Sequence, residues 1–480
     1  MNSADLATLL PLLVIAASAI VVLLAVAFYR NHILTAALTL IGLFLAIIAL
    51  PVASLKTPRQ VTPLLILDDY ALFYMALIFA ACFAVALLAY GYLEKSRGNH
   101  EEFYILLLLA TLGSAVLVAS DHFGSFFLGL EILSVSLYTL IAYPRASRQH
   151  IEAGIKYLIL AATSAAFLLF GMALIYAEAG TMEFARMASA MAGKNSQSAF
   201  VLAGWGMIIV GVGFKLAVVP FHLWTPDVYE GAPAPVTAFV ATVSKGSMFA
   251  LLLRYFTQAD VHASSALFLV LSLIAIASMF AGNLLALLQK NIKRLLAYSS
   301  IAHLGYLLVA LLASGALAVS AVAFYLVAYF VSTLSAFGIV TVLSGREREA
   351  DAMIDYRGLF WRRPWLTGMF TATLFSLAGI PLTAGFVGKF YIVAASVGSS
   401  LWLLVLILMV NSAIGLFYYL RVVVAMFIHP SEREEVSLPA PSLSLAGSVV
   451  LVGLALLLFW LGVHPSPIIK LIQKTFASAI

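Results

Sequence analysis

Apolar positions in this chain come in long runs, and the polar positions between them are few and clustered. Many of the runs reach the roughly 20 residues that a helix needs to cross a bilayer, and they recur along the whole length. The short alternating segments of a transmembrane β-barrel are absent. The pattern predicts about fourteen helices, over residues 6–29, 33–52, 70–92, 103–119, 123–143, 155–177, 200–219, 235–255, 264–287, 295–312, 316–342, 365–397, 401–428 and 444–462. The segments between them are short. The longest, near 344–364, is charged and too small to be a domain. The expected fold class is therefore an all-α polytopic membrane protein.

Two of the runs are interrupted. The seventh continues into GFKLAVVPFHLWTPDVYEGAPAP, where Pro220 should end it. Thr225, Pro226 and Asp227 then read as N-cap, N1 proline and first-turn acid of a short new helix. The twelfth contains LAGIPLTAGFVGKF, with Gly379, Pro381 and Gly385 in mid-run. Backbone groups freed at membrane depth are tolerated only where they are buried in protein or line a wet cavity. The two broken segments lie five helices apart, each near a lysine (Lys215, Lys389). Broken helices in corresponding places of two halves point to inverted repeats around a midplane site. The expected organisation is a three-helix segment (1–102), two five-helix repeats (103–263 and 264–430), and a C-terminal helix (431–480).

Composition agrees. Hydrophobic residues make up 64% of the 480 and charged residues only 10%, with a mean hydropathy of +1.08. A soluble domain carries roughly a quarter charged residues. The net charge of +5 does not indicate nucleic acid, because the basic residues are scattered with no basic face. Cys82, the single cysteine, lies within an apolar run and reads as a small core residue; one cysteine can neither form an intrachain disulfide nor hold an iron–sulfur cluster. No basic region precedes the first run and Asp5 stands in its place, so that run is expected to be a permanent helix rather than a cleaved signal.

With the N-terminus placed outside, fourteen Lys and Arg fall on inner segments, among them Arg30, Lys95, Arg97, Arg145, Lys290, Lys293, Arg294, Arg346 and Arg433. Seven fall outside: Lys56, Arg59, Arg186, Lys194, Arg254, Lys470 and Lys474. By the positive-inside rule both termini are expected on the outer side.

Ionisable residues inside the runs carry the candidate chemistry. A charge at the bilayer centre costs about 2.5–3.5 kcal/mol even on the lenient scale. Glu131, Lys215, Lys245 and Lys389 nonetheless lie within the fifth, seventh, eighth and twelfth runs. Structural ion pairing or snorkelling is the alternative for each. A lysine that is desolvated and faces a movable carboxylate can take and release a proton near neutral pH. His303, in the tenth run, can relay protons, or can be a hydrogen-bonded core residue. Lys156 is expected to snorkel at the inner face, and Asp227, beside His222, to cap the first break. Asn411 and Arg421 are left without a role.

The chain holds no Walker A sequence, no GxGxxG between strand and helix, no HExxH and no CxxCH. Only His303 is clearly intramembrane, which leaves no matched pair for a haem.

The segments FKLAVVPFHLWTPDVYEGAPAPVTAFVATVSK, NIKRLLAYSSIAHLGYLL and SLAGIPLTAGFVGKFYI closely resemble the antiporter-like membrane subunits of respiratory complex I, and the resemblance covers essentially the whole chain. It implies fourteen helices with two inverted five-helix repeats, and proton transfer along a hydrated axis. The implied carriers are a helix-five glutamate, lysines on helices seven and eight, a helix-ten histidine and a helix-twelve charge, which fall on Glu131, Lys215, Lys245, His303 and Lys389. The lysine on helix twelve, and the lack of room for a long lateral helix after helix fourteen, distinguish members of that family. The resemblance also implies a proton-translocating, non-redox subunit of a bacterial inner (plasma) membrane enzyme. NADH, FMN, iron–sulfur clusters and quinone would belong to other subunits, and the partners would be the other membrane subunits and the lipid bilayer. Two other readings compete: a Mrp-type or stand-alone cation/proton antiporter, and a passive membrane scaffold. The wording around 224–239 favours complex I over the antiporter, and four ionisable residues within the runs argue against the scaffold.

Overall fold

The computed structural model describes residues 2–95, 98–144, 147–190, 198–258, 264–345, 348–429 and 444–476. Arg97, Arg145, Lys194, Arg346 and Arg433, five of the charges used to orient the chain, lie outside these ranges.

Among the described residues, 13 helices are long and apolar enough to cross a membrane. They begin with α1 (Ser3–Phe28), α2 (His32–Ser54), α3 (Asp69–Leu93), α4 (Glu101–Val118), α5 (Phe123–Ile141) and α6 (Arg148–Ala179). A short helix, α7 (Phe184–Ala190), precedes α8 (Ala199–Leu216). The eighth span is composite: α10 (Ala234–Phe239) runs through a π-turn at Val240–Ser244 into α11 (Lys245–Gln258), after the short α9 (Trp224–Gly231). Then come α12 (Ser265–Leu287), α13 (Ile292–Leu312) and α14 (Ala316–Leu343). A one-turn α15 (Leu359–Arg362) leads to α16 (Pro364–Ala378) and α17 (Ala384–Gly398), the two halves of the broken segment. Neither half is long enough alone, and together they supply the fourteenth crossing. The chain closes with α18 (Trp402–Phe427), α19 (Leu445–Val463) and α20 (Ser466–Phe476).

Most ends fall within a few residues of expectation. The larger differences have local causes. The sixth helix begins seven residues early, because Arg148, Gln149, Glu152 and Ala153 are good helix formers that precede the apolar run. The tenth begins at Ile292, N-capped by Asn291, whose side chain accepts from the amide of Arg294. A hairpin, β1 (Arg59–Thr62) with β2 (Leu65–Leu67), and the amphipathic α20 carry no long apolar run and were not expected.

The helices fall into two classes. The spans Ala234–Thr257, Ile292–Leu312 and α14 are enclosed by protein, with 94% of each central window buried. In α6, α18 and α19 only 33% is buried. Their exposed Leu, Ile and Phe side chains form the apolar outer wall that lipid requires. Cys82 is fully buried and accepts a hydrogen bond from Thr111, as a small core residue does.

Candidate functional site

The first break comes earlier than expected. Helix α8 stops at Leu216, one residue after Lys215, with Ala217 left-handed at φ 58°. Pro220 sits inside the linker rather than at its start. The indole of Trp224 donates to the Phe214 carbonyl at 2.9 Å, and Ser278 of α12 accepts from the Val219 amide at 2.9 Å. Thr225 is not the N-cap of α9. That position is Leu223, and the Thr225 hydroxyl has no partner among the described residues.

The second break is Gly379–Thr383. Gly379 ends α16 at φ 84°, a conformation that glycine adopts without strain, and Thr383 N-caps α17. Gly385 is not part of the break. It lies in the first turn of α17, where a Cβ would stand 1.8 Å from the Ser376 carbonyl oxygen.

Among the ionisable groups that these breaks and the enclosed helices hold in the core, Lys215 is 4% exposed, Lys245 1%, His303 4% and Lys389 8%. Lys215 donates to Ser134 at 2.7 Å and to Tyr157 at 3.0 Å. Lys245, next to the π-turn, donates to Ser300 at 2.8 Å, with its ammonium 5.1 Å from the Tyr229 ring centre and 5.9 Å from that of Trp224. Ser300 also meets the Tyr329 hydroxyl at 2.8 Å. His303, one turn along α13, pairs Nδ1 with the Tyr325 hydroxyl (2.7 Å) and Nε2 with that of Tyr419 (3.2 Å). Tyr419 in turn meets Ser299. Lys389 donates to the Ala378 carbonyl at 2.7 Å and to Ser412 at 2.9 Å, over the ring of Tyr306.

Glu131 is set apart. It is half-buried on α5 and interacts with Lys215 through space, but among the described residues none forms an ion pair or hydrogen bond with its carboxylate. Lys215 instead bonds Ser134, which lies one turn along from Glu131.

The hydroxyls of Ser134, Tyr157, Ser300, Tyr325, Tyr329 and Tyr419 escaped the sequence reading because they are uncharged. A tyrosine inside an apolar helix looks like ordinary core until its partner is known. The available signal was spacing: Tyr325 and Tyr329 lie four apart and share a face of α14, and Ser300 and His303 lie three apart on α13.

Other candidates resolve as structural. Asp227 does not cap. It bridges Lys156 (2.9 Å) and Arg294 (2.8 Å), while Lys156 also pairs with Glu152 (2.7 Å), so Lys156 is held in a half-exposed ion cluster rather than snorkelling alone. His222 is buried, and its Nδ1 has no partner among the described residues. Arg421 donates to the carbonyls of Leu287 and Gln289 and closes the C-terminal end of α12. Asn411 joins Asn283, which also meets Tyr306 and Tyr418.

On the side of the bundle where α13 begins, Lys293 is completely buried and paired with Glu349, which also accepts from Tyr92 (2.7 Å) and from the Ala234 amide (2.8 Å). Burial pushes the Glu349 carboxyl up, but the charge of Lys293 and these bonds outweigh it and hold the group below the ordinary carboxylate range.

Among the described residues, no cluster of three His, Cys, Asp or Glu could hold a metal ion. Chemically, the site is a row of lysine amines, an imidazole and hydroxyls in a protein-enclosed interior. It can accept, hold and pass protons.

Residues 119–415 match the model of the transmembrane NADH:quinone oxidoreductase/Mrp antiporter family. The chain is 55% identical over 485 residues to the NADH-quinone oxidoreductase subunit N of Nitrosospira multiformis, covering 98% of this chain and 96% of that one. It is 51% identical over 482 residues to the subunit N of Ectopseudomonas mendocina, covering 99% and 97%. Among solved structures it resembles a chain of respiratory complex I from Thermus thermophilus with bound aureothin, with a TM-score of 0.81, 32% identity, and coverage of 96% of this chain and 98% of that one.

Proposed function

This chain belongs to the transmembrane NADH:quinone oxidoreductase/Mrp antiporter family, and from that premise we propose that it works as a proton-translocating, non-redox subunit in the membrane arm of respiratory complex I. The subunit N relatives, more than half identical over nearly the whole chain, favour complex I over a Mrp antiporter, which the family model alone would also admit. Its partners are the other membrane subunits of that complex, and its surroundings the lipid bilayer. Electron transfer from NADH to quinone takes place on other subunits, and this chain carries no redox group of its own.

The observation that carries the reading is the row of Lys215, Lys245, His303 and Lys389, each 8% exposed or less. Charge is not placed in a membrane interior without use or a partner, and these groups face neutral hydroxyls and carbonyls rather than carboxylates. Lys245 and Lys389 can therefore lose a proton without leaving a bonded carboxylate unpaired. Glu131, close to Lys215 but not joined to it, is the group whose charge biases when Lys215 holds its proton. Protons pass between Lys245 and His303 by way of Ser300 and Tyr329, and from His303 toward Lys389 past Tyr306.

The proposal includes the two five-helix repeats, 103–263 and 264–430, as inverted copies flanked by 1–102 and 431–480. It also includes a bacterial inner membrane location with both termini on the periplasmic side. A passive scaffold would not need the buried row.

The test is Lys245→Ala in inverted membrane vesicles, with NADH-driven proton uptake measured per assembled complex and assembly checked on native gels. Uptake should fall by at least tenfold. Normal uptake with normal assembly would remove Lys245 from the path.

A further inference from the structure

The contacts of Lys245 are distributed over three elements. Trp224 and Tyr229, whose rings lie beneath its ammonium, are on α9, its acceptor Ser300 is on α13, and Lys245 itself follows α10 and the π-turn. Where Lys245 sits relative to its partners therefore depends on how α9, α10 and α13 are joined. Arg294 of α13 holds α9 through Asp227 and Glu230, and the turn between α9 and α10 is where α13 reaches both. Between α9 and α10 the chain turns through Ala232 and Pro233. Lys293, in the first turn of α13, donates to the Ala232 carbonyl at 2.6 Å. Glu349, from the segment after α14, accepts from the Ala234 amide at 2.8 Å. The cation and anion are paired with each other, so one buried ion pair grips the carbonyl on one side of Pro233 and the amide on the other. Tyr92 of α3 donates to the same carboxylate. Lys293 and Ser300 lie seven residues, or two turns, apart on α13 and so share a face.

We propose that the Lys293–Glu349 pair is a positioning clasp: by holding the α9–α10 turn to α13, it sets the place of the Lys245 ammonium between Ser300 and the rings of Trp224 and Tyr229. Neither residue of the pair transfers a proton in this scheme; both act through Lys245. A buried pair of this kind is a weak source of net stability, because desolvation offsets most of the attraction. It is a strong constraint on geometry, since moving either partner leaves an unpaired charge in the interior. Other charged and titratable groups close to the clasp are Asp351 on the same segment, His150 on α6, whose Nδ1 meets the Gly231 carbonyl, and the Asp227–Arg294–Glu230 cluster on α9 and α13.

The inference rests on Lys245 being a proton carrier, so the experiment keeps the two apart. Assembled complex in inverted vesicles is compared for Lys245→Ala, Glu349→Gln, Lys293→Arg and the double variant Glu349→Gln with Lys293→Gln. Proton uptake and its pH profile are read per assembled complex. The expected result is an uptake loss of about tenfold in Glu349→Gln, with a displaced pH profile because Lys245 has moved against its partners, and recovery to within about twofold of wild type in Lys293→Arg. The double variant, which leaves no unpaired charge, should assemble and still show the displaced profile. A merely structural pair would lower the amount of complex and leave the profile of the assembled fraction unchanged, and that result overturns the clasp. Failure of both Gln variants to assemble also overturns it, because a device acting on Lys245 is not what holds the fold. Normal uptake in Lys245→Ala would instead remove the proton-carrier reading, whatever Glu349→Gln does.

Discussion

Lys389 reaches back across the break in its own segment to donate a 2.7 Å hydrogen bond to the carbonyl of Ala378, the last residue of α16. Lys215 occupies the last turn of α8, just before the other break. The Lys389 ammonium thus lies at the carbonyl end of a half-helix, where C=O groups left without helical partners give a partial negative charge, whereas the Lys215 ammonium finds its acceptors in Ser134 and Tyr157. A continuous helix offers no such end at membrane depth. The second break and Lys389 are therefore one arrangement: the break creates the acceptor, and the acceptor makes a buried cation tolerable.

Gly379→Ala tests this arrangement without removing charge. A Cβ there would meet Lys389 Cδ at 2.8 Å and Nζ at 3.1 Å, and the φ of 84° adds about 1–2 kcal/mol of backbone strain. The lysine should be displaced from Ala378. NADH-driven proton uptake per assembled complex should drop about as far as in Lys389→Ala, whereas Gly398→Ala, where nothing crowds a Cβ, should leave it unchanged.

Ser300 links Lys245 to Tyr329. Losing a buried hydrogen bond to a charged group costs about 1.5–3 kcal/mol, or on the order of 10- to 100-fold in rate. Ser300→Ala should show a loss of that size in proton uptake, and Ser300→Thr, which keeps the hydroxyl, should retain most of the activity. Equal losses in the two would point to packing rather than the hydroxyl.

Glu131 lies one turn from Ser134, to which Lys215 donates, and among the described residues no ion pair joins the two charges. At an effective dielectric near 20, charges about 6–8 Å apart interact by roughly 2–3 kcal/mol. Glu131→Gln and Lys215→Ala should each impair uptake, and the double variant should be much less impaired than the product of the two. Glu131→Asp should fall between wild type and Gln. Multiplicative losses would show that the residues act independently.

Glu349 sets a pH window for stability. Its folded pKa is lowered, so its contribution is present above the unfolded value of about 4.3 and disappears as pH falls through the folded value. The difference in thermal midpoint between wild-type complex and Glu349→Gln should therefore be constant from pH 6 to 8 and shrink below about pH 4. A difference that changed between pH 6 and 8 would contradict the assignment.

The sequence alone determined the class of the protein, the number of its crossings and several of the charged groups in its core. Bilayer thickness imposes a length on every apolar run, and a charge inside such a run is visible by contrast, as Lys215, Lys245 and Lys389 were. Gly379 and Pro381 marked a break for a similar reason, because few residues do so locally. Tertiary structure alone decided the partners. Lys215 could as readily have paired with Glu131 as with Ser134 and Tyr157. Asp227 read as a cap from its neighbours in sequence, yet it bridges Lys156 and Arg294, 71 and 67 residues away. Lys293 looked like a charge on an inner loop, yet it is wholly buried against Glu349. A hydroxyl or an ion pair takes its role from whatever group packing brings within 3 Å of it, and that distance is set by helices far apart in the chain rather than by local spacing.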